Sequence, residues 1–94
     1  MAGAAMEHQI GEILRSNLDI QDLEIVDISA NCGTSFSIVV VSPAFQGKGK
    51  LARHKLVNSI LADQIATLHA FSQKPLTPAE WEKEKEKRAA ATKV

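Results

Sequence analysis

The sequence predicts an α+β domain of order α-β-β-α-β-α, a three-stranded sheet with helices packed on one face. Three observations carry that expectation. Ile10, Ile13, Leu14 and Leu18 recur at helical spacing. Two β-branched runs, Leu23–Ile28 and Phe36–Val41, flank the turn-forming Asn31-Cys32-Gly33. Finally, Thr77-Pro78-Ala79-Glu80 has the form of a helix start, with a capping threonine, a proline at the first position and a glutamate closing the capping box. At 94 residues the chain is one domain, with a packed core over about 6–87.

In order, Met6–Asn17 reads as an amphipathic helix, with Glu7, Glu12 and Arg15 off its apolar face. Leu23–Ile28 and Phe36–Val41 form a hairpin with Cys32 near its tip. The run Ile38-Val39-Val40-Val41 predicts a strand whose centre is buried on both faces. Pro43 stops it, and a turn through Gly47 and Gly49 leads into a second helix over Leu51–Ala62, with Leu51, Leu56, Ile60 and Leu61 along it. Thr67–Ser72 reads as a short third strand, His69 and Phe71 on one face and Leu68 and Ala70 on the other. The last helix passes through Trp81, read as a core or subcore residue, into alternating charges that bury nothing and are expected to fray beyond Lys87.

Eleven basic and eleven acidic residues cancel, so no global field draws the chain to nucleic acid or membrane. Locally, Lys48, Lys50, Arg53 and Lys55 cluster without an acid among them. A single cysteine excludes an internal disulfide framework and fits a reducing compartment. No apolar run approaches the roughly 18 residues of a membrane span. Cytoplasm, with access to the nucleus, is the expected location.

Catalysis has little support: no nucleophile sits in a recognised motif and no carboxylate pair stands out. Cys32, in a polar turn, can reach a metal or an oxidant, or can be an incidental surface thiol. His69 is a strand histidine suited to packing, hydrogen bonding or ligation. The 37 positions between them fit no zinc motif, and two ligands cannot close a tetrahedral site. Any metal held by the pair needs ligands from a second chain or a small thiol. His54 reads as an imidazole fixing the start of the second helix against the preceding turn, with a third metal ligand or a phosphate contact as the alternative, and His8 reads as solvated. The basic cluster at a helix start can hold phosphate or meet an acidic partner. Its glycines, Gly47 and Gly49, lack the Gly-x-x-Gly spacing of a nucleic-acid clamp, and no aromatic interleaves its lysines.

Three segments together resemble the BolA family. These are Phe45-Gln46-Gly47-Lys48-Gly49-Lys50-Leu51-Ala52-Arg53-His54-Lys55-Leu56-Val57-Asn58, Asn31-Cys32-Gly33-Thr34-Ser35-Phe36 upstream, and Leu68-His69-Ala70-Phe71 downstream. The resemblance spans residues 22–81 and is closest to the cytosolic and nuclear eukaryotic branch with a loop cysteine. It implies a fold like the class II KH domain and a non-enzymatic adaptor for iron–sulfur clusters. Such proteins pair with monothiol glutaredoxins around a bridging [2Fe–2S] cluster, in cluster trafficking and iron homeostasis. On that pattern Cys32 and His69 are this chain's cluster ligands, with the glutaredoxin cysteine and glutathione supplying the others. An alternative is a KH-like nucleic-acid-binding regulator that uses Lys48, Lys50, Arg53 and Lys55.

Overall fold

The computed structural model describes residues 2–29 and 34–92. The chain runs α1 (Ala2–Asn17), β1 (Asp22–Asp27), β2 (Ser35–Val41), a 3-10 turn (Pro43–Phe45), α2 (Lys50–Ile60), α3 (Ala62–Ala66), β3 (Ala70–Leu76) and α4 (Pro78–Thr92). The sheet order is β1-β2-β3, with β1 antiparallel and β3 parallel to β2. The expected hairpin is therefore present. The turn residues Asn31, Cys32 and Gly33 lie outside the described residues.

Alternation along β2 sorts the core into two layers. Phe36, Ile38 and Val40 point to one face, where Ile10 and Leu14 of α1, Val57 of α2, Phe45 and Leu61 close over them. Removing such side chains from water contributes about 1.5–3 kcal/mol each, an upper range because the unfolded chain already buries some of this surface. Leu23 and Ile25 of β1 share this face. Here α1 approaches so closely that a Cβ on Gly11 would stand 3.8 Å from each of them.

The opposite face carries Asp22, Val41 and Leu76 in one row and Glu24, Val39 and Lys74 in the next. α4 lies across it. Trp81 Nε1 donates to Asp22 Oδ2 at 3.0 Å, Arg88 pairs with Glu24 at 2.9 Å and Lys74 pairs with Glu84 at 2.7 Å. The Arg88 guanidinium stands 5.0 Å from the Trp81 ring centroid. Beneath, Val41 is fully buried and Trp81 nearly so, as expected for a central strand covered on both sides and for a packed tryptophan. The expectation of helices on one face thus holds for α1 and α2, while α4 takes the other. Its binding residues, Trp81, Glu84 and Arg88, follow helical spacing, so a tail of alternating charge still presents one face to the sheet. The last of these contacts is at Arg88, and the helix continues to Thr92.

Two boundaries differ from the sequence expectation. The second helix pauses at Leu61, whose backbone leaves the helical region (φ −103°, ψ 18°) while its side chain stays buried, and α3 resumes at Ala62. The third strand runs Ala70–Leu76 in place of Thr67–Ser72, so His69 sits just before it and Leu68 and Phe71 both pack against the core. Pro75 does not stop the strand. Ala70 N donates to Thr34 O and Ser42 N to Leu76 O, which turns the backbone groups of even-numbered β3 residues toward β2. Pro75, an odd-numbered residue, faces the open edge and costs no ladder bond.

Two glycines make a test with opposite signs. Gly47 has φ +80°, a left-handed backbone, and a methyl added there would meet nothing within 4 Å beyond its own chain neighbours. Gly47→Ala is expected to destabilise by about 1–2 kcal/mol through the backbone alone. At Gly11 a methyl would meet Arg15 Nη1 at 3.1 Å, the mobile end of an exposed side chain. Gly11→Ala is expected to stabilise by about 0.5–1 kcal/mol, since it removes the helix-interior glycine penalty. Urea unfolding of both variants checks the pair.

Candidate functional site

The parallel pairing of β3 with β2 brings His69 to the hairpin tip. His69 N donates to Thr34 O at 2.6 Å, two residues along the chain from Cys32. The other flank of the loop is fixed as well. Asp27 Oδ1 accepts from Ser29 N at 2.8 Å and from Ser29 Oγ at 2.5 Å, and Ser29 Oγ accepts from Thr34 N at 3.2 Å. Ile28 N donates to Ser35 O at 3.0 Å. The loop that contains Cys32 therefore springs from a hydrogen-bonded base, and His69 is tied to that base by its own backbone. Cys32 itself is outside the described residues. The His69 side chain is exposed and makes no hydrogen bond to any described residue, so both ring nitrogens are open to a ligand from outside. Among the described residues, no three His, Cys, Asp or Glu side chains converge on a metal-sized site.

His69 also lines a groove of about 500 Å³ between β3 and α2, together with His54, Asn58, Phe71 and Gln73. His54 is half-buried at this place. His8 is exposed on α1, with Nε2 at 3.6 Å from Glu12 Oε1.

The basic turn is split by the structure. Lys48, Lys50 and Arg53 line a second groove of about 480 Å³, continuous with the first through His54 and Gln73, whereas Lys55 lies outside its lining. Lys48 and Lys50 are exposed. Arg53 is not a free cation. Its Nε donates to Lys48 O at 2.8 Å and its Nη1 to Pro75 O at 3.2 Å. Its guanidinium also spans Glu80, at 2.6 Å to Oε1 and 3.4 Å to Oε2. One side chain thus joins the glycine turn, the end of β3 and the start of α4.

Glu80 completes that junction. Thr77 N donates to Glu80 Oε1 at 2.9 Å and Glu80 N donates to Thr77 Oγ1 at 3.3 Å, the reciprocal capping box anticipated from the sequence. The carboxylate's second role, toward Arg53, had no sequence signal because 27 positions separate the two. Thr34 was missed for a similar reason, since it acts through its backbone carbonyl.

The residues matched to the family description "BolA-like protein" are 14–80, most of the chain and all of the geometry above from β1 to the capping box. The chain belongs to the BolA family. BolA-like protein 2 of mouse is 45% identical over 75 residues, 79% of this chain and 87% of the relative. BolA-like protein 2 of human is 44% identical over 77 residues, covering 81% and 90%. Among solved structures, a bol-like protein from Babesia bovis superposes with a TM-score of 0.72 at 46% identity, covering 81% of this chain and 88% of its own. Mouse BolA1 reaches 0.76 at 32% identity, covering 84% and 70%. The mixed α+β architecture is that of the BolA fold.

The junction in this BolA domain has a pH signature. Hydrogen bonds from Arg53 and from the Thr77 backbone hold the Glu80 carboxyl down at about 2, against an ordinary 4.5. A depressed carboxyl contributes its stability above about pH 4.5 and loses it as pH falls toward 2. The Glu80 side chain is 45% exposed, so solvent screens much of that contribution. Glu80→Gln is expected to cost about 1 kcal/mol at neutral pH and to flatten the fall in stability through that acid range. Thermal unfolding of both proteins across the range measures it.

Proposed function

We propose that this BolA family protein is a non-enzymatic adaptor that holds a [2Fe–2S] cluster jointly with a monothiol glutaredoxin, as cargo for trafficking and iron homeostasis. The observation that carries the reading is the exposed imidazole of His69, without a hydrogen bond among the described residues, on a backbone tied to the base of the loop bearing Cys32. Cys32 and His69 are two donors where a [2Fe–2S] cluster takes four, so the other two have to be supplied from outside. A glutaredoxin cysteine and a glutathione thiolate are ligands of the right kind. A solved relative at 38% identity and a TM-score of 0.66 is yeast Fra2, and its likeness supports a shared role without specifying one.

An imidazole in place of a thiolate removes negative charge from the cluster and raises its potential. It also makes retention acid-sensitive, since ligation requires the unprotonated ring. The alternative, nucleic-acid regulation through Lys48, Lys50, Arg53 and Lys55, has less support. Arg53 is bound to Glu80, and Lys55 stands apart from the groove that holds Lys48 and Lys50.

Anaerobic reconstitution with a monothiol glutaredoxin, iron, sulfide and glutathione tests the adaptor reading. A mixed complex is expected, with a visible circular dichroism spectrum distinct from that of the glutaredoxin alone. His69→Ala is expected to accelerate cluster loss at least about tenfold, and acidification to shorten retention in wild type more than in the variant. Cys32→Ala reports whether the loop thiolate is also a ligand. No mixed complex, with the glutaredoxin's own spectrum unchanged, would contradict the reading.

A further inference from the structure

β3 is an edge strand, and the direction of its backbone groups is settled by its two terminal bonds. Ala70 N reaches Thr34 O and Leu76 O receives Ser42 N, so Phe71, Gln73 and Pro75 turn their N–H and C=O groups away from the sheet. At one end this edge is closed, because Pro75 has no N–H and its carbonyl accepts from Arg53 Nη1. Phe71 and Gln73 are not closed. Their outward N–H and C=O groups have no bonded partner among the described residues. Lys74, the charge that could guard the edge, is drawn to Glu84 of α4 instead.

The open edge is the rim of the continuous groove between β3 and α2. Gln73 lies in both halves of that groove. Its Nε2 donates to Asn58 Oδ1 at 2.7 Å, and its Oε1 is buried without a partner among the described residues. At the Pro75 end stand Lys48 and Lys50, neither paired with an acid among the described residues, beside a first turn of α2 that contains no carboxylate. Glu80 is the acid there, and Arg53 occupies it. The groove therefore offers strand-type hydrogen bonds along its length and positive charge at one end.

We propose that the open edge of β3 is a docking site for an extended acidic segment of a partner protein, added as a further strand. The backbone of Phe71 and Gln73 forms the ladder, and Lys48 and Lys50 receive the segment's carboxylates. Main-chain bonds supply affinity in this mode, and flanking charge supplies selectivity. Single-stranded nucleic acid fits less well, because the lining around the two lysines holds no Phe, Tyr or Trp on which a base could stack, only the half-buried His54 ring. The inference rests on the edge and its charge, and stands whether or not the cluster reading does.

Amide hydrogen exchange of the full chain without cluster tests it, followed residue by residue by NMR. The probes are blocked peptides of about eight residues, a usual strand length, that alternate valine and threonine. One carries two glutamates at its N-terminus, one carries them at its C-terminus, and a control carries lysines in their place; an oligothymidine of similar length is the fourth probe. One acidic peptide is expected to slow exchange at Phe71 and Gln73 at least about tenfold at saturation, an effect of new edge bonds that surface charge alone cannot produce. Lys48→Glu combined with Lys50→Glu is expected to weaken binding of that peptide about tenfold. Gln73→Pro removes an outward donor without touching the ladder to β2 and is expected to abolish the protection; should that variant not fold, the double lysine variant decides. Three results would overturn the proposal: no protection of these amides by either acidic peptide, equal protection by the lysine control, or protection by the oligothymidine alone.

Discussion

Because β3 runs parallel to β2, its first residue must arrive at the end of the sheet where the β1–β2 hairpin turns. Ala70 pairs with Ser35, and the residue before it, His69, donates to Thr34. Were β3 antiparallel to β2, His69 would emerge at the far end, beside the glycine turn. A parallel partner also demands a crossover longer than a hairpin, and that crossover contains α2, α3 and the basic turn. The histidine at the loop base, the groove beside α2 and the open edge of β3 are thus consequences of one strand pairing.

The two faces of the sheet are held by different forces. On the α1 and α2 side, Ile10, Leu14, Phe36, Ile38, Val40 and Val57 form a continuous apolar core. On the α4 side only Trp81, over Val41, provides substantial burial among the described residues, and the remainder is ion pairing by Glu24, Lys74, Glu84 and Arg88. Surface pairs of this kind stabilise weakly and are screened by salt, so α4 is held chiefly by its first turn. That turn is where Arg53, Thr77 and Glu80 meet the end of β3. The most basic side chain of the glycine-turn motif is therefore spent on architecture, which narrows the surface charge left for a partner to Lys48, Lys50 and Lys55.

Much of this was legible in the sequence wherever the signal was local. The Ile38-Val39-Val40-Val41 run announced a strand covered on both sides, and Thr77-Pro78-Ala79-Glu80 announced its capping box. The errors arose where tertiary context decides. Pro75 is compatible with a strand only when its nitrogen faces an open edge, and that depends on the register with β2. Likewise, Trp81, Glu84 and Arg88 form a binding face only once Asp22, Glu24 and Lys74 are arrayed opposite them. Cys32 and His69 were each unremarkable alone. Only the family resemblance joined them; what the structure adds is the bond from His69 N to Thr34 O at the base of the loop.

The measurement closest to the central claim is pulsed electron paramagnetic resonance on the reduced mixed complex, with this chain alone labelled with ¹⁵N-histidine. A cluster ligated by His69 predicts a ¹⁵N hyperfine coupling of directly bound magnitude that disappears in His69→Ala and persists in His54→Ala. A reduced cluster with no coupling to any labelled histidine would contradict the account, because the imidazole carried at the hairpin base would then not be a ligand.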